Sequence, residues 1–403
     1  MDPNIQNAYT NILREELHPA LFCMAPIALA LCAAKAQQAL GMQPTAVTVS
    51  VSQTVKKRVK NVVIPHTNGL KGLRAAVAAG IFCGDAENGL EGIGTLTEEQ
   101  HAAVLRFLDT VHIDVVCTEA DGPIDVSVTL YARTSYARAV MADRAGRVTE
   151  IMKNGEVLFH EPVSVPNEDR QIDRACLNVP DILKYAESVG LDAVKDLLNA
   201  QIAQNTAIAE EGMRHAYGAQ IGRMLLMEHP NDRKTIVKAA AAAGGDARTG
   251  GSELPVMHLC GSAAQGIAAT VPVVTFAREI GADAERMYRA LLLTDLLTVY
   301  LNVLTKPSAN RCSTCAAGCA VGAAIAYLSG SDETTVAQTL WNAVSLRAET
   351  VCDGADASCA VKLASAIDVG FLGLSMAQRQ PAEDGILANI DGLLRRALQD
   401  RSA

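Results

Sequence analysis

The sequence predicts an α+β protein in which a mostly helical domain carries a smaller inserted α+β domain. Three observations predict it. From about residue 170 to the end, Ala- and Leu-rich segments recur with helical periodicity between glycine-rich breaks. Between about 44 and 165, short runs of β-branched residues alternate with turn dipeptides. Residues 1–43 are again helical in character, so helix flanks the strand-rich part on both sides. The expected division is 1–43 plus 170–403 for the helical domain and 44–169 for the insert.

In chain order, Glu15-Glu16-Leu17-His18 carries the first helix into Pro19, and a second apolar helix resumes after Pro26. Thr45–Val51 (TAVTVSV) alternates β-branched residues as a half-buried strand does. Ile113–Cys117, Ile124–Tyr131, Tyr136–Ala142 and Val157–His160 are further strands, with Asp121-Gly122-Pro123 and Lys153-Asn154-Gly155 as turns. Leu73–Ile81 and Glu98–Val111 read as helices within this region. Beyond 170, the breaks fall at Gly244-Gly245, Thr249-Gly250-Gly251 and Cys260-Gly261-Ser262, and no internal repeat has a fixed period.

Hydrophobic residues make up 49% of the 403 and aromatics only 4%, so Ala, Leu, Val and Ile must fill the core. Small side chains of this kind let helices approach closely. The net charge of −9 argues against a nucleic-acid partner, which needs clustered Lys and Arg; Lys56-Lys57-Arg58 reads as a solvated face. The longest apolar runs, Ala20–Ala34 (interrupted by Pro26) and Thr314–Leu328, are about 15 residues, against roughly 20 for a spanning helix. No basic segment leads into an apolar one at the N-terminus, so no membrane association and a cytoplasmic location are expected.

The chain has 11 cysteines, an odd number, and no export signal is visible, which disfavours a disulfide framework. Cys32, Cys83, Cys117 and Cys176 read as small buried hydrophobes. Two groups are harder to explain that way. In Cys352-Asp353-Gly354-Ala355-Asp356-Ala357-Ser358-Cys359, Asp-Gly marks a turn, which places Cys352 on a loop and Cys359 near a helix start capped by Asp356 or Ser358. Such a start stabilises thiolates and anions. Cys312, Cys315 and Cys319 are spaced to share one helical face. Neither group has the spacing of a zinc ribbon or a ferredoxin, so spacing leaves a metal site and ordinary thiols equally open. Ser262 and Gln265 lie before a helix where N–H groups can receive a carboxylate, or where they simply cap it. Arg248 has the chemistry of a carboxylate clamp, with a surface ion pair as the alternative.

Several motifs together carry a resemblance. They are Glu15-Glu16-Leu17-His18-Pro19-Ala20-Leu21-Phe22-Cys23-Met24-Ala25-Pro26, Asp246-Ala247-Arg248-Thr249-Gly250-Gly251, and Gly261-Ser262-Ala263-Ala264-Gln265-Gly266 through Val273. Gly281-Ala282-Asp283, Arg289-Ala290-Leu291, Cys352-Asp353-Gly354 and Cys359-Ala360-Val361-Lys362 follow in order. In these the chain resembles the iron–sulfur L-cysteine desulfidase family, itself related to the α-chain of bacterial iron–sulfur L-serine dehydratases. The resemblance spans nearly the whole chain. It implies that the helical domain is catalytic and that Cys312, Cys352 and Cys359 hold a [4Fe-4S] cluster with one iron open to substrate. A one-turn slip would give the place of Cys312 to Cys315 or Cys319. It also implies that Cys23 is an acid–base cysteine and that Lys60 and Asn61 lie in a substrate loop. His66 in the neighbouring turn reads as an ordinary turn residue.

The implied reaction is β-elimination from a small amino acid: L-cysteine to pyruvate, ammonia and hydrogen sulfide, or a close variant. An L-serine or L-threonine dehydratase and a non-catalytic cluster-binding redox sensor are the alternatives. The partner is a small amino or hydroxy acid, and a homo-oligomer is compatible with the sequence. Two departures bear on the substrate. Met24-Ala25 stand where the family has Thr-Glu, and Ala264 where it has Asn, which points to a less polar pocket.

Overall fold

Helix dominates both ends of the chain and strand its middle. The computed structural model describes residues 1–20, 24–64, 66–84, 96–118, 125–141, 147–161, 173–305, 312–346, 350–352, 354, 357–380, 382 and 384–399. The first elements are α1 (Pro3–Glu16), β1 (Leu17–Ala20), α2 (Met24–Leu40), β2 (Ala46–Ser52), α3 (Gln53–Val59), α4 (Gly72–Cys83) and α5 (Glu98–Thr110). Strands β3 (His112–Thr118), β4 (Val126–Ala132), β5 (Ser135–Met141), β6 (Glu150–Lys153) and β7 (Glu156–His160) follow. Then come α6 (Val179–Ser188), α7 (Lys195–Arg214), α8 (Ile221–Glu228), α9 (Arg233–Thr249), β8 (Val256–Leu259) and α10 (Ala263–Glu279). The last are α11 (Ala284–Thr305), α12 (Thr314–Leu328), α13 (Glu333–Leu346), α14 (Ser358–Ala377) and α15 (Ile386–Gln399).

The chain divides into two units: Met1–Ala20, Gln171–Cys352 and Ala357–Ala403 in one, Leu21–Arg170 and Asp353–Asp356 in the other. The first boundary lies near Ala20 rather than at residue 43. Helix α2 is apolar nearly all round, and Ile27, Leu29 and Cys32 join the same core as Val47, Val49, Val128 and Leu130 of the sheet. Pro26 does not break this helix; it sits in the first turn, where a missing N–H costs nothing.

The sheet unit is built on a six-stranded mixed sheet of order β3-β2-β4-β5-β6-β7. β2 and β3 pair in parallel, which requires a crossover, and the chain between them supplies α3, α4 and α5. The other pairs are antiparallel. Alternate residues of β2 (Val47, Val49, Val51) are buried, as its period-2 pattern predicts. A capping box starts α5: Thr97 Oγ1 accepts from Gln100 N at 3.2 Å, and Thr97 N donates to Gln100 Oε1 at 3.0 Å. Lys56 to Arg58, expected as a solvated face, lie on the short α3.

The helical unit packs α7, α9, α10, α11, α12, α13 and α14 about a core rich in Ala, Leu and Val. Small residues set its spacing. A Cβ at Gly212 would overlap the Ala243 carbonyl, and one at Gly266 the Met257 carbonyl. Residues 17–20 are a strand where helix was expected. β1 pairs antiparallel with β8, His18 opposite His258, in a two-stranded ribbon. Helices α11 and α14 are long and apolar enough to cross a membrane, and 72% and 50% of their apolar windows are buried inside the protein.

Candidate functional site

The start of α10 is shaped by a tight turn. Leu259 N donates to Ser262 O at 3.2 Å and Ser262 N to Leu259 O at 3.1 Å, while Cys260 (φ 51) and Gly261 (φ 69) are both left-handed. This is the backbone pattern of a type I′ turn, and a cysteine in it is uncommon; such conformations cost on the order of 1–3 kcal/mol and gather at functional sites. The turn delivers Ser262 as the N-cap of α10, its Oγ accepting from Gln265 N at 3.3 Å. The same Oγ lies 3.0 Å from Ser313 Oγ, the residue after Cys312. Gln265 is buried, and its Nε2 has no hydrogen-bond partner among the described residues. An orphaned amide donor is costly unless a ligand meets it. Ser262 is thus brought beside the Cys312 loop, and its capping role, with Gln265 N as the donor, is present as well.

The Cys260 thiol lies near Asn302 and Glu16. Burial first, then the Glu16 carboxylate, push it above the ordinary thiol range. Glu16 in turn accepts from Arg174 Nε at 2.9 Å, and Arg174 also pairs with Glu15 at 3.0 Å.

Two of the cysteines named from the sequence stand near the starts of two helices that pack together. A Cβ at Gly318 of α12 would overlap the Ala366 carbonyl of α14, and one at Gly322 would overlap Gly370. Both pairs have the same offset, so the two helices run parallel and in contact. Cys312, on the loop before α12, and Cys359, the second residue of α14, therefore both stand toward the N-terminal end of this parallel pair. The Cys312 amide donates to Thr350 O at 2.9 Å, two residues before Cys352. Cys312 is buried, and Cys352 and Cys359 are half-buried. Only Cys315 and Cys319 ride on α12; Cys312 precedes it, so the three do not share a helical face. The start of α14 also differs from expectation. Its N-cap is Ala357 with no side-chain bond, Ser358 Oγ accepts from Lys362 Nζ at 3.2 Å, and Asp356 lies outside the described residues.

Among the described residues, no three His, Cys, Asp or Glu side chains converge on one point that a single metal ion would fill. A four-iron cluster spreads its thiolates over separate corners, so its ligands need not share a point. The donor set fits that group: soft thiols only, on two loops and a helix start, beside two helix N-termini. The Cys312 thiol is held above its ordinary range by its hydrogen bond to Cys315 and by burial. Metal binding at this position therefore has to displace a proton.

The other sequence candidates are distributed elsewhere. Arg248 lies in the last turn of α9, half-buried, with Nε and one Nη shielded from solvent. Its neighbour Asp246 has a structural task, accepting the backbone N–H of Gly222 at 3.1 Å at the start of α8; burial raises its carboxyl to about 6. Lys60, exposed, and Asn61, half-buried, follow α3 in the sheet unit. His66 is left-handed (φ 59), with Asn68 (φ 54) and Gly69 (φ 89) in the same turn, as a turn residue should be. Cys23 lies outside the described residues.

Sequence reasoning missed a buried polar centre behind α10. Asn205 Nδ2 donates to Met257 O and Gly266 O at 3.1 Å and to Thr270 Oγ1 at 2.9 Å, while its Oδ1 accepts from Met257 N at 2.9 Å. Gln201 Nε2 donates to Thr270 Oγ1 at 2.9 Å and to Asp295 Oδ1 at 3.0 Å. These groups lock β8 to α10 and so hold the turn at Cys260. The available signal was weak: isolated amides and one Asp inside otherwise apolar helices. Ser313 was missed as well, since only the fold sets it against Ser262.

A sequence profile described as serine dehydratase alpha chain matches residues 87–396. A UPF0597 protein of Desulfitobacterium hafniense (strain Y51) is 41% identical over 383 residues, covering 94% of this chain and 89% of its own. One from Finegoldia magna is 36% identical over 389 residues, covering 94% and 91%. One from Treponema denticola is 31% identical over 401 residues, covering 98% and 92%.

Proposed function

Because the chain belongs to the serine dehydratase alpha chain family, alongside the UPF0597 proteins, we propose that it eliminates the β-substituent of a small L-amino acid, with L-cysteine as the first substrate to test. The family is one of iron–sulfur-dependent lyases. What supports the reading is that Cys312 and Cys359 stand at the starts of the parallel, packed α12 and α14, that the Cys312 amide donates to Thr350 O two residues before Cys352, and that Ser262 is hydrogen-bonded to Ser313 alongside.

In this reading Cys312, Cys352 and Cys359 hold a [4Fe-4S] cluster. When bound, the cluster supplies a Lewis acid for the substrate carboxylate and the departing group. The chain's own groups bind and orient. Ser262 offers a hydroxyl, Gln265 an amide donor with no partner among the described residues, and the first turn of α10 its N–H groups, all suited to a carboxylate. Arg248 is a further carboxylate partner. By its sequence position, Cys23 is assigned the α-proton. Lys60 and Asn61 keep their proposed place in a substrate loop of the sheet unit.

A serine-type dehydratase is the second reading, favoured by the family match itself. Protein purified without air should carry iron and acid-labile sulfide and should release either sulfide from L-cysteine or pyruvate from L-serine. Cys352→Ala should lose both cluster and turnover. Full iron content and activity in that variant would overturn the assignment of ligands. A cluster-loaded chain that turns over no amino or hydroxy acid would favour a non-catalytic sensor instead.

A further inference from the structure

Cys312-Ser313-Thr314-Cys315 places two thiols three residues apart at the start of α12, and Cys315 has no part in the cluster assignment above. Backbone geometry brings the pair within bonding reach. The Cys315 amide approaches Cys312 O at 3.5 Å, closing a single turn between them. Residues joined by such a turn keep their Cα atoms within about 7 Å, and bridged cysteines span roughly 4.4–6.8 Å. Both thiols are buried, and Cys312 Sγ lies 3.0 Å from Thr314 Oγ1 within the same turn. Cys319 is the competing partner for Cys315, one turn further along the same helix.

We propose that Cys312 and Cys315 close a reversible disulfide under peroxide, a redox lock that excludes iron from Cys312. Hydrogen peroxide oxidises one thiol to a sulfenic acid: its O–O bond breaks, sulfur gains oxygen, and water leaves. The second sulfur then attacks the first. An S–S bond forms, the S–O bond breaks, and the departing hydroxide takes the second thiol's proton as water. The pair has given up two electrons to one peroxide, and an external dithiol restores both thiols by exchange. A bridged Cys312 has no thiolate for iron, so lock and cluster exclude each other. That last clause rests on Cys312 being a cluster ligand; the disulfide does not.

The test uses the full-length, cluster-free chain, reduced and then treated with hydrogen peroxide. Remaining thiols are blocked with N-ethylmaleimide. Trypsin, cutting after Arg311 and Arg347, releases a peptide holding Cys312, Cys315 and Cys319. The expected peptide carries one maleimide, on Cys319, and is two hydrogens lighter at the other pair; dithiothreitol restores three labelled thiols. Cys319→Ala should keep the bridge, and Cys315→Ser should lose it. Three maleimides after peroxide, a sulfinic acid in place of the bridge, or a bridge persisting in Cys315→Ser each overturn the proposal. Iron and sulfide uptake is measured in parallel. The reduced chain should load, and the bridged chain should load only after dithiothreitol. A reduced chain that takes no iron sinks the cluster reading, whatever the peptide mass. A chain that loads iron but never bridges sinks the lock alone.

Discussion

Replacing Asp295 by Asn tests the buried polar centre that holds the α10 turn. Asp295 is fully buried on α11; Oδ1 accepts from Gln201 Nε2 at 3.0 Å, and Oδ2 has no partner among the described residues. Burial lifts its carboxyl from 3.8 to about 8, against the pull of the Gln201 hydrogen bond. Between those values the folded chain keeps a proton that the unfolded chain releases, so stability falls as pH rises through that window. From pH 5 to pH 8 the loss is three units at about 1.4 kcal/mol each, on the order of 4 kcal/mol. In a chain of 403 residues, at about 2.1 cal/mol/K of unfolding entropy per residue, 1 kcal/mol moves Tm by roughly 1 °C. Asn cannot ionise, so the variant should gain roughly 5 °C on the wild type between pH 5 and pH 9. The nearby Cys260 thiol stays neutral over that range and does not mask the effect. Thermal melts of the cluster-free chain followed by circular dichroism at pH 5, 7 and 9 make the comparison. Parallel pH curves for the two proteins would refute the reasoning.

Gly318→Val should force α12 off the Ala366 carbonyl; the overpacking costs about 1–3 kcal/mol in a urea titration, and reconstituted iron should drop as the cysteines lose register. Asn205→Ala removes four buried hydrogen bonds between α7, β8 and α10, so unfolding free energy should fall by about 3 kcal/mol or more, a denaturant midpoint within error of wild type being the contrary result. Ser262→Ala should cost about 1 kcal/mol as a lost N-cap and raise KM more than it lowers kcat; an unchanged KM would confine Ser262 to capping.

Much of the fold is legible in the sequence. Alternation in Thr45–Val51 and Tyr136–Ala142 corresponds to β2 and β5, and the apolar period in Leu73–Ile81 to α4. The missed elements share a physical cause. β1 and β8 are four residues each and exist only because they pair across more than 200 positions of chain, a long-range event with no local period. α3 is short and charged, so its Lys56-Lys57-Arg58 run hides an ordinary helical turn. The candidate site divides the same way. Ser262 was visible as a polar residue at a break, whereas its bond to Ser313 and the left-handed Cys260 were not.

By itself the sequence determined which residues can do chemistry: thiols in two groups, a glycine-rich helix start, small residues through the helical part. It did so because side-chain chemistry and short-range periodicity are local properties. Only the tertiary structure decided which of those groups meet. Gly318, Gly322 and Gly370 let α12 and α14 lie backbone to backbone in parallel, and that register, a consequence of packing between distant segments, puts the starts of both helices, with Cys312 and Cys359, toward the same end.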